Sequence, residues 1–256
     1  RPLLETGDGV AWPDRILVTD SQRIEYPRKW RNSAVMSQKW RLINGIELYD
    51  MHRDPGQTVD VAADHPETLE KLRAAYESWW NDVSARFGEY PRIIIGGEAN
   101  PVTLTAHDWH HISIPGSQIP GPDQEINPPW NQRQVRNGQP ANGIWALHIK
   151  TAGIYILTLS RWPLYLHHPI QSGLPAGDAI PEGVPYPPGQ ALPLRQARIQ
   201  IQDIDTQKPV AADDIGVSFK VELKAGDCML KTFLINESGF DRGAYFVNIE
   251  YKGDLS

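Results

Sequence analysis

One cysteine, Cys228, stands in a chain of 256 residues, so no intrachain disulfide can form. Its neighbours Asp227 and Met229 belong to no Cys/His spacing that holds zinc, and the residue reads as a packed thiol. No apolar run approaches the ~18 residues that a membrane-crossing helix needs, so no membrane partner is expected. No basic run offsets the formal net charge of −6, which argues against a nucleic-acid partner. The opening Arg1-Pro2-Leu3-Leu4 has neither an initiator methionine nor a signal-peptide pattern, and reads as the start of a processed or truncated chain.

Proline and glycine, by contrast, are plentiful at 22 and 21 residues. They cluster between positions 113 and 193, where long ordered loops on a β scaffold would place them. The local pattern then separates into two regions. In the first, Ile16 and Val18 alternate with Arg15 and Leu17, and Ala34, Val35 and Met36 follow. WRLI (40–43) and ELYD (47–50) flank Asn44-Gly45, a strong hairpin signal because both residues tolerate positive φ. Asp54-Pro55-Gly56 predicts a type II turn with glycine in the left-handed position. A helix is predicted over Asp64 to Phe87, where Leu69, Leu72, Tyr76, Trp79, Val83 and Phe87 form one apolar stripe. Asp64 or His65 would cap it, Arg73 would pair with Glu77, and Gly88 would end it.

Beyond Gly88 the helical period disappears. Strands are predicted at Arg92 to Ile95, Ile144 to Lys150, Ile154 to Ser160, Gln196 to Ile201, Ile215 to Leu223, Met229 to Ile235 and Ala244 to Tyr251, with residues 96–138 rich in loops. Trp145, Leu147 and Ile149 should point inward, and Ile154 to Ser160 should be a central strand because both its faces are apolar. The fold class expected is α+β. A small antiparallel sheet packs with one amphipathic helix over residues 1–88, and an all-β sandwich follows over residues 89–256.

Several motifs of the first region occur in the order of the closing segment of arylsulfatases in the alkaline-phosphatase-like superfamily. RPLLETG resembles the LxPLLxG segment after that family's catalytic domain, and WPDR with Ile16-Leu17-Val18 resembles the strand that follows. SAVMSQKWRLI is similar to the family's hairpin. ELYDMHRDPGQ is similar to ELYDLxxDPxE, with Met51 for leucine and Gln57 for glutamate. HPETLEKLRAAYESWW resembles the next helix. Farther on, NGIWALHIKTAGIYILTLSRWP is similar to a C-terminal module appended to some bacterial sulfatases.

The resemblance implies a sulfuric ester hydrolase that works in the periplasm or is secreted. Members of the family convert the first residue of C/S-x-P-x-R to formylglycine. They hold calcium with aspartate and asparagine, and they bind sulfate with lysine, histidine and arginine. No C/S-x-P-x-R occurs here, and Cys228 is followed by Met229-Leu230-Lys231. No calcium-ligand pattern occurs either, so no catalytic residue and no cofactor is carried over. The expectation is a C-terminal portion that is inert by itself. Its partner would be the N-terminal sulfatase catalytic domain, where calcium would sit, and its parent's substrate would be a sulfated carbohydrate.

Four basic residues, Arg23, Arg28, Lys29 and Arg31, lie in a polar loop that could meet an anionic substrate; the plainer reading is a solvated loop. His107, His110 and His111 have spacing that would suit a metal only on a helix, and Ile112, Ser113, Ile114 and Pro115 argue against one. His167-His168 carries the same weak signal. Glu47, Asp50 and Asp54 read as turn-stabilising carboxylates rather than an acid/base set. Asn236-Glu237-Ser238 would accept a glycan only in a eukaryotic secretory context. Trp109 and Trp130, among polar loop neighbours, are candidates for stacking on sugar rings, whereas Trp145 and Trp162 read as core. The competing function is thus a carbohydrate-binding or interaction β-sandwich module without catalytic activity.

Overall fold

The computed structural model describes residues 14–22, 24–113, 128–239 and 241–253. The chain is β-rich, with several sheets and few helices. It divides into two compact units, Arg1–Glu89 and Tyr90–Ser256.

In the first unit β1 (Leu17–Asp20), β2 (Ser33–Met36), β3 (Trp40–Ile43) and β4 (Glu47–Asp50) pair antiparallel in chain order. The register lines up Val18, Val35, Leu42 and Leu48 across the sheet. Side chains alternate along strands, so these four share one face. Helix α1 (Pro66–Ser84) lays Leu72 and Tyr76 on that face, and Val35, Leu42, Leu48 and Tyr76 have no solvent exposure.

The ends of α1 differ from expectation. Pro66 occupies the first turn, where a missing N–H costs no intrahelical bond, but no side chain caps the helix. At the other end Ala85 keeps right-handed backbone. Tighter bonds, Arg86 N to Val83 O and Phe87 N to Ser84 O, finish the turn without a left-handed glycine at Gly88. Arg73 does not pair with Glu77. It donates to Glu70 at 3.0 Å and to the Gly45 carbonyl at 2.8 Å, while Glu77 takes Lys29 and the Trp30 indole N–H.

The hairpin between β3 and β4 turns through Asn44 and Gly45, with φ of 50° and 72°. Asn44 Oδ1 accepts the Ser33 N–H at 3.0 Å. A Cβ on Gly45 would lie 2.8 Å from the Trp30 ring, so glycine is required by space as well as by φ. The second turn corrects the type II expectation: Gln57, with φ of 55°, takes the left-handed position instead of Gly56. The Asp54 carboxylate accepts the Thr58 and Val59 N–H groups at 2.7 and 2.9 Å, which moves the bend one residue along. Asp50 likewise accepts the His52 N–H at 3.1 Å.

The second unit contains two sheets. In one, β11 (Ile204–Pro209), β10 (Leu194–Ile201), β13 (Gly226–Asn236), β8 (Asn142–Ile149) and β5 (Ile93–Ile95) lie in that order, with β7 (His110–Ser113) beside β8 and β14 (Asp241–Arg242) beside β13. Only β5 and β8 run parallel among the described pairs. In the other sheet β12 (Val217–Leu223), β9 (Gly153–Ser160), β15 (Phe246–Gly253) and β6 (Val102–Thr105) are neighbours. Trp145, Leu147 and Ile149 of β8, Ile199 of β10, Tyr155, Leu157 and Leu159 of β9, and Phe219 of β12 belong to one apolar core. The short strands β6 and β7 and helix α2 (Gln132–Arg136) fall inside the stretch expected to be loop.

Between β9 and β10 the chain makes one short 3-10 turn, Leu164–Leu166, and otherwise no regular structure. Its backbone groups still need partners. Arg161, with no solvent exposure, supplies some of them and ties the loop to α2. Its guanidinium donates to the carbonyls of Gln190 (2.8 Å), Arg136 (2.8 Å), Val135 (3.1 Å) and Ser172 (3.4 Å). Arg136, also buried, donates to Pro175 O at 2.6 Å and Pro187 O at 3.0 Å. Burial pulls the Arg161 guanidinium down to about 10, still well above neutral pH.

Candidate functional site

Helix α2 begins with a reciprocal cap. Asn131 Oδ1 accepts the Gln134 N–H at 3.0 Å, and Gln134 Oε1 accepts the N–H groups of Asn131 (3.1 Å) and Trp130 (2.9 Å). This fixes the backbone that carries Trp130, a residue 55% exposed. Tyr165 sits on the 3-10 turn after Pro163, which closes through a left-handed His167 with φ of 46°. Tyr165 is 77% exposed, and Leu166 beside it is 43% exposed.

Between these two supports lies a cleft of about 400 Å³, lined among others by Trp130, Asn131, Gln132, Trp162, Tyr165 and His107. Trp162 is buried there. Its indole N–H donates to Ser172 O at 3.1 Å, and Arg161 stacks on its ring at 4.3 Å. The Arg161 contacts that hold the long loop thus also hold one wall of the cleft. Thr105 donates from its hydroxyl to Asp108 at 3.0 Å. Arg136 Nε donates to Gln132 Oε1 at 2.8 Å.

A second polar cluster joins strands rather than lining that cleft. Asp227 accepts from Arg92 Nε at 2.8 Å and lies 2.7 Å from His148 Nδ1. These contacts lower its pKa, the His148 hydrogen bond contributing most. Arg92 also donates to the carbonyls of Leu147 and Cys228, so the cluster ties β5 to β8 and β13. Burial pushes the Cys228 thiol up to about 11, so it stays protonated and is a poor nucleophile at neutral pH.

The residues singled out from sequence fall as follows. Arg23 lies outside the described residues. The rest of its loop is held by the buried Gln22, whose amide donates to Arg28 O and whose carbonyl oxygen accepts the Arg28 N–H, both at 2.6 Å. Lys29 is engaged by Glu77 of α1, and Arg31 donates to Gln22 O at 3.5 Å. Trp109 does not form part of a surface platform. It is 4% exposed and meets Trp145 edge-on at 5.5 Å. A Cβ on Gly143 or Gly243 would collide with it, so those two glycines make its slot. Tyr165 escaped the sequence reading, although the apolar run Trp162-Pro163-Leu164-Tyr165-Leu166 in a loop was its signal.

Ala106–Asp108 is one 3-10 turn and His110–Ser113 a strand, so His107, His110 and His111 share no helix face. His111 Nε2 lies 2.6 Å from the Tyr90 hydroxyl, and His168 donates to Gly173 O at 3.1 Å. Among the described residues no group of three or more His, Cys, Asp or Glu side chains is arranged to hold a metal.

No family model matches the chain, and no curated protein matches it at a significant level. Among solved structures it overlaps a ruminal GH26 endo-β-1,4-mannanase with 15% identity over 61% of this chain and 27% of that one, at a TM-score of 0.29. It also overlaps a Podospora anserina GH26-CBM35 β-(1,4)-mannanase with 12% identity over 61% of this chain and 29% of that one, at a TM-score of 0.31. The chain spans less than a third of either structure.

Proposed function

We propose that this chain is the C-terminal, non-catalytic portion of an arylsulfatase-like sulfuric ester hydrolase. Residues 1–88 would be the small sheet-and-helix subdomain, and residues 89–256 an appended β-sandwich. The role is structural completion of the enzyme, whose catalytic residues and calcium belong to a preceding domain.

The observation that carries this reading is the ordered series of motifs in the first unit and the work its residues do. Leu42 of WRLI and Leu48 of ELYD are buried beneath α1, while Asp50 and Asp54 accept turn amides. These are jobs of a scaffold. The opposite sheet face aligns Leu17, Met36, Arg41 and Tyr49 in one row and Thr19, Ala34, Ile43 and Glu47 in the next. Leu17 is 46% exposed on that face, and Met36, Ile43 and Tyr49 are half-buried. A mixed apolar face of this kind suits contact with a catalytic domain.

The test is the reading frame that encodes Arg1. Upstream it should encode C/S-x-P-x-R and the aspartate and asparagine ligands of the calcium site. A complete frame without them would overturn the proposal.

A further inference from the structure

We infer that the cleft beside α2 binds a sugar residue of a polysaccharide, stacked on Trp130 and Tyr165 and held by the side-chain amides of Asn131 and Gln132. The inference stands on the second unit alone and does not depend on the sulfatase reading. Two large aromatics that line one cleft on a rigid frame offer apolar faces on which a ligand can stack. Here both aromatics sit on fixed backbone, Trp130 by the α2 cap and Tyr165 by its 3-10 turn. The volume of about 400 Å³ lies in the range of small-molecule sites, ~300–1,000 Å³.

The polar groups narrow the ligand. Asn131 Oδ1 is occupied by the Gln134 N–H, and Gln132 Oε1 by Arg136 Nε. With each amide oxygen already engaged, the NH2 group is what each of these two side chains would offer a ligand, as a donor. A pyranose matches this set, because its C–H faces pack on aromatic rings while its hydroxyl and ring oxygens accept hydrogen bonds. A sulfate ester on the sugar would add further acceptors of the same kind. Neutral and sulfated polysaccharides thus share the chemistry that the cleft recognises, and the experiment separates them.

The whole chain is run by affinity electrophoresis through gels containing laminarin or xylan (neutral), or κ-carrageenan or chondroitin sulfate (sulfated). Tryptophan fluorescence provides a second readout. At least one gel should retard the protein. Trp130→Ala and Tyr165→Ala should each weaken retention by about tenfold or more, as loss of an aromatic anchor does, and Gln132→Ala should weaken it by less. Both aromatics are exposed, so circular dichroism and thermal melting should match the parent chain. Selective retention in the sulfated gels would assign the acceptor to the ester, and equal retention to the sugar hydroxyls. Mobility unchanged in all four gels would overturn the inference, as would retention that survives the Trp130→Ala/Tyr165→Ala double substitution.

Discussion

In the first unit one face of a small sheet packs on one helix, and the buried apolar core is Val35, Leu42, Leu48, Leu72 and Tyr76. In the second unit two sheets contribute to a much larger core that contains Trp145, Trp162, Tyr155, Tyr245 and Phe219. The two also tether their irregular chain differently. In the first unit a hydroxyl and an amide do much of it, together with the Lys29–Glu77 ion pair: the Tyr76 hydroxyl accepts the Trp30 N–H at 2.9 Å and donates to Asp20 at 3.3 Å, beside the Gln22 amide. The ring of Trp30 stacks on Tyr76 at 3.7 Å. In the second unit buried guanidinium groups gather backbone carbonyls from segments far apart in sequence. A small core can use a short loop that single side chains of the sheet and helix reach. A long loop over a large core needs the several donors that arginine presents in one plane.

The largest effect that would test this contrast is at Arg161. Arg161→Met strands the carbonyls of Val135, Arg136, Ser172 and Gln190, and should destabilise the second unit by about 3 kcal/mol or more. Urea unfolding followed by probes in each unit should show the second transition moving alone. An equal movement of both transitions would dissolve the comparison. Leu72→Ala should do the converse, costing the first unit about 2–5 kcal/mol through the cavity under the sheet. Tyr76→Phe is gentler. Losing the hydroxyl from Trp30 N and Asp20 should cost about 1–2 kcal/mol and speed proteolysis near Arg28 and Arg31, read by limited trypsin digestion.

The smallest effect is at the β10–β11 hairpin. Hydrogen bonds from Arg198, and next from Gln200, hold the Asp205 carboxyl at about 2. A depressed carboxylate stabilises the fold above its unfolded pKa of about 4. That contribution is lost as pH falls through about 2. Acid titration between those limits should loosen the hairpin's amide protection, and Asp205→Asn should flatten that response.

Alternation made much of the second unit legible. Trp145, Leu147 and Ile149 point inward on β8, and Val217, Phe219, Val221 and Leu223 do so on β12, since period two puts every second side chain on one face. The stripe from Leu69 to Val83 foretold α1 for the same kind of reason. Other features left no periodic trace. Strand β11 is largely exposed and forms by pairing with β10 at the sheet edge. The role of Arg161 rests on carbonyls from two other segments of the chain, and no local pattern around Arg161-Trp162-Pro163 encodes them. For the candidate site, composition marked Trp109 and Trp130 alike. Only the tertiary fold separates them, because Gly143 and Gly243 open a slot for Trp109 while the α2 cap holds Trp130 at the surface.

The chain is proposed to complete a sulfatase without supplying its chemistry. Hydrolysis of p-nitrophenyl sulfate by the isolated chain, compared with the product of the full reading frame at equal concentration, tests it most directly. The expected result is turnover by the longer product and none above background by this chain. Turnover by this chain alone, or none by either, would contradict it.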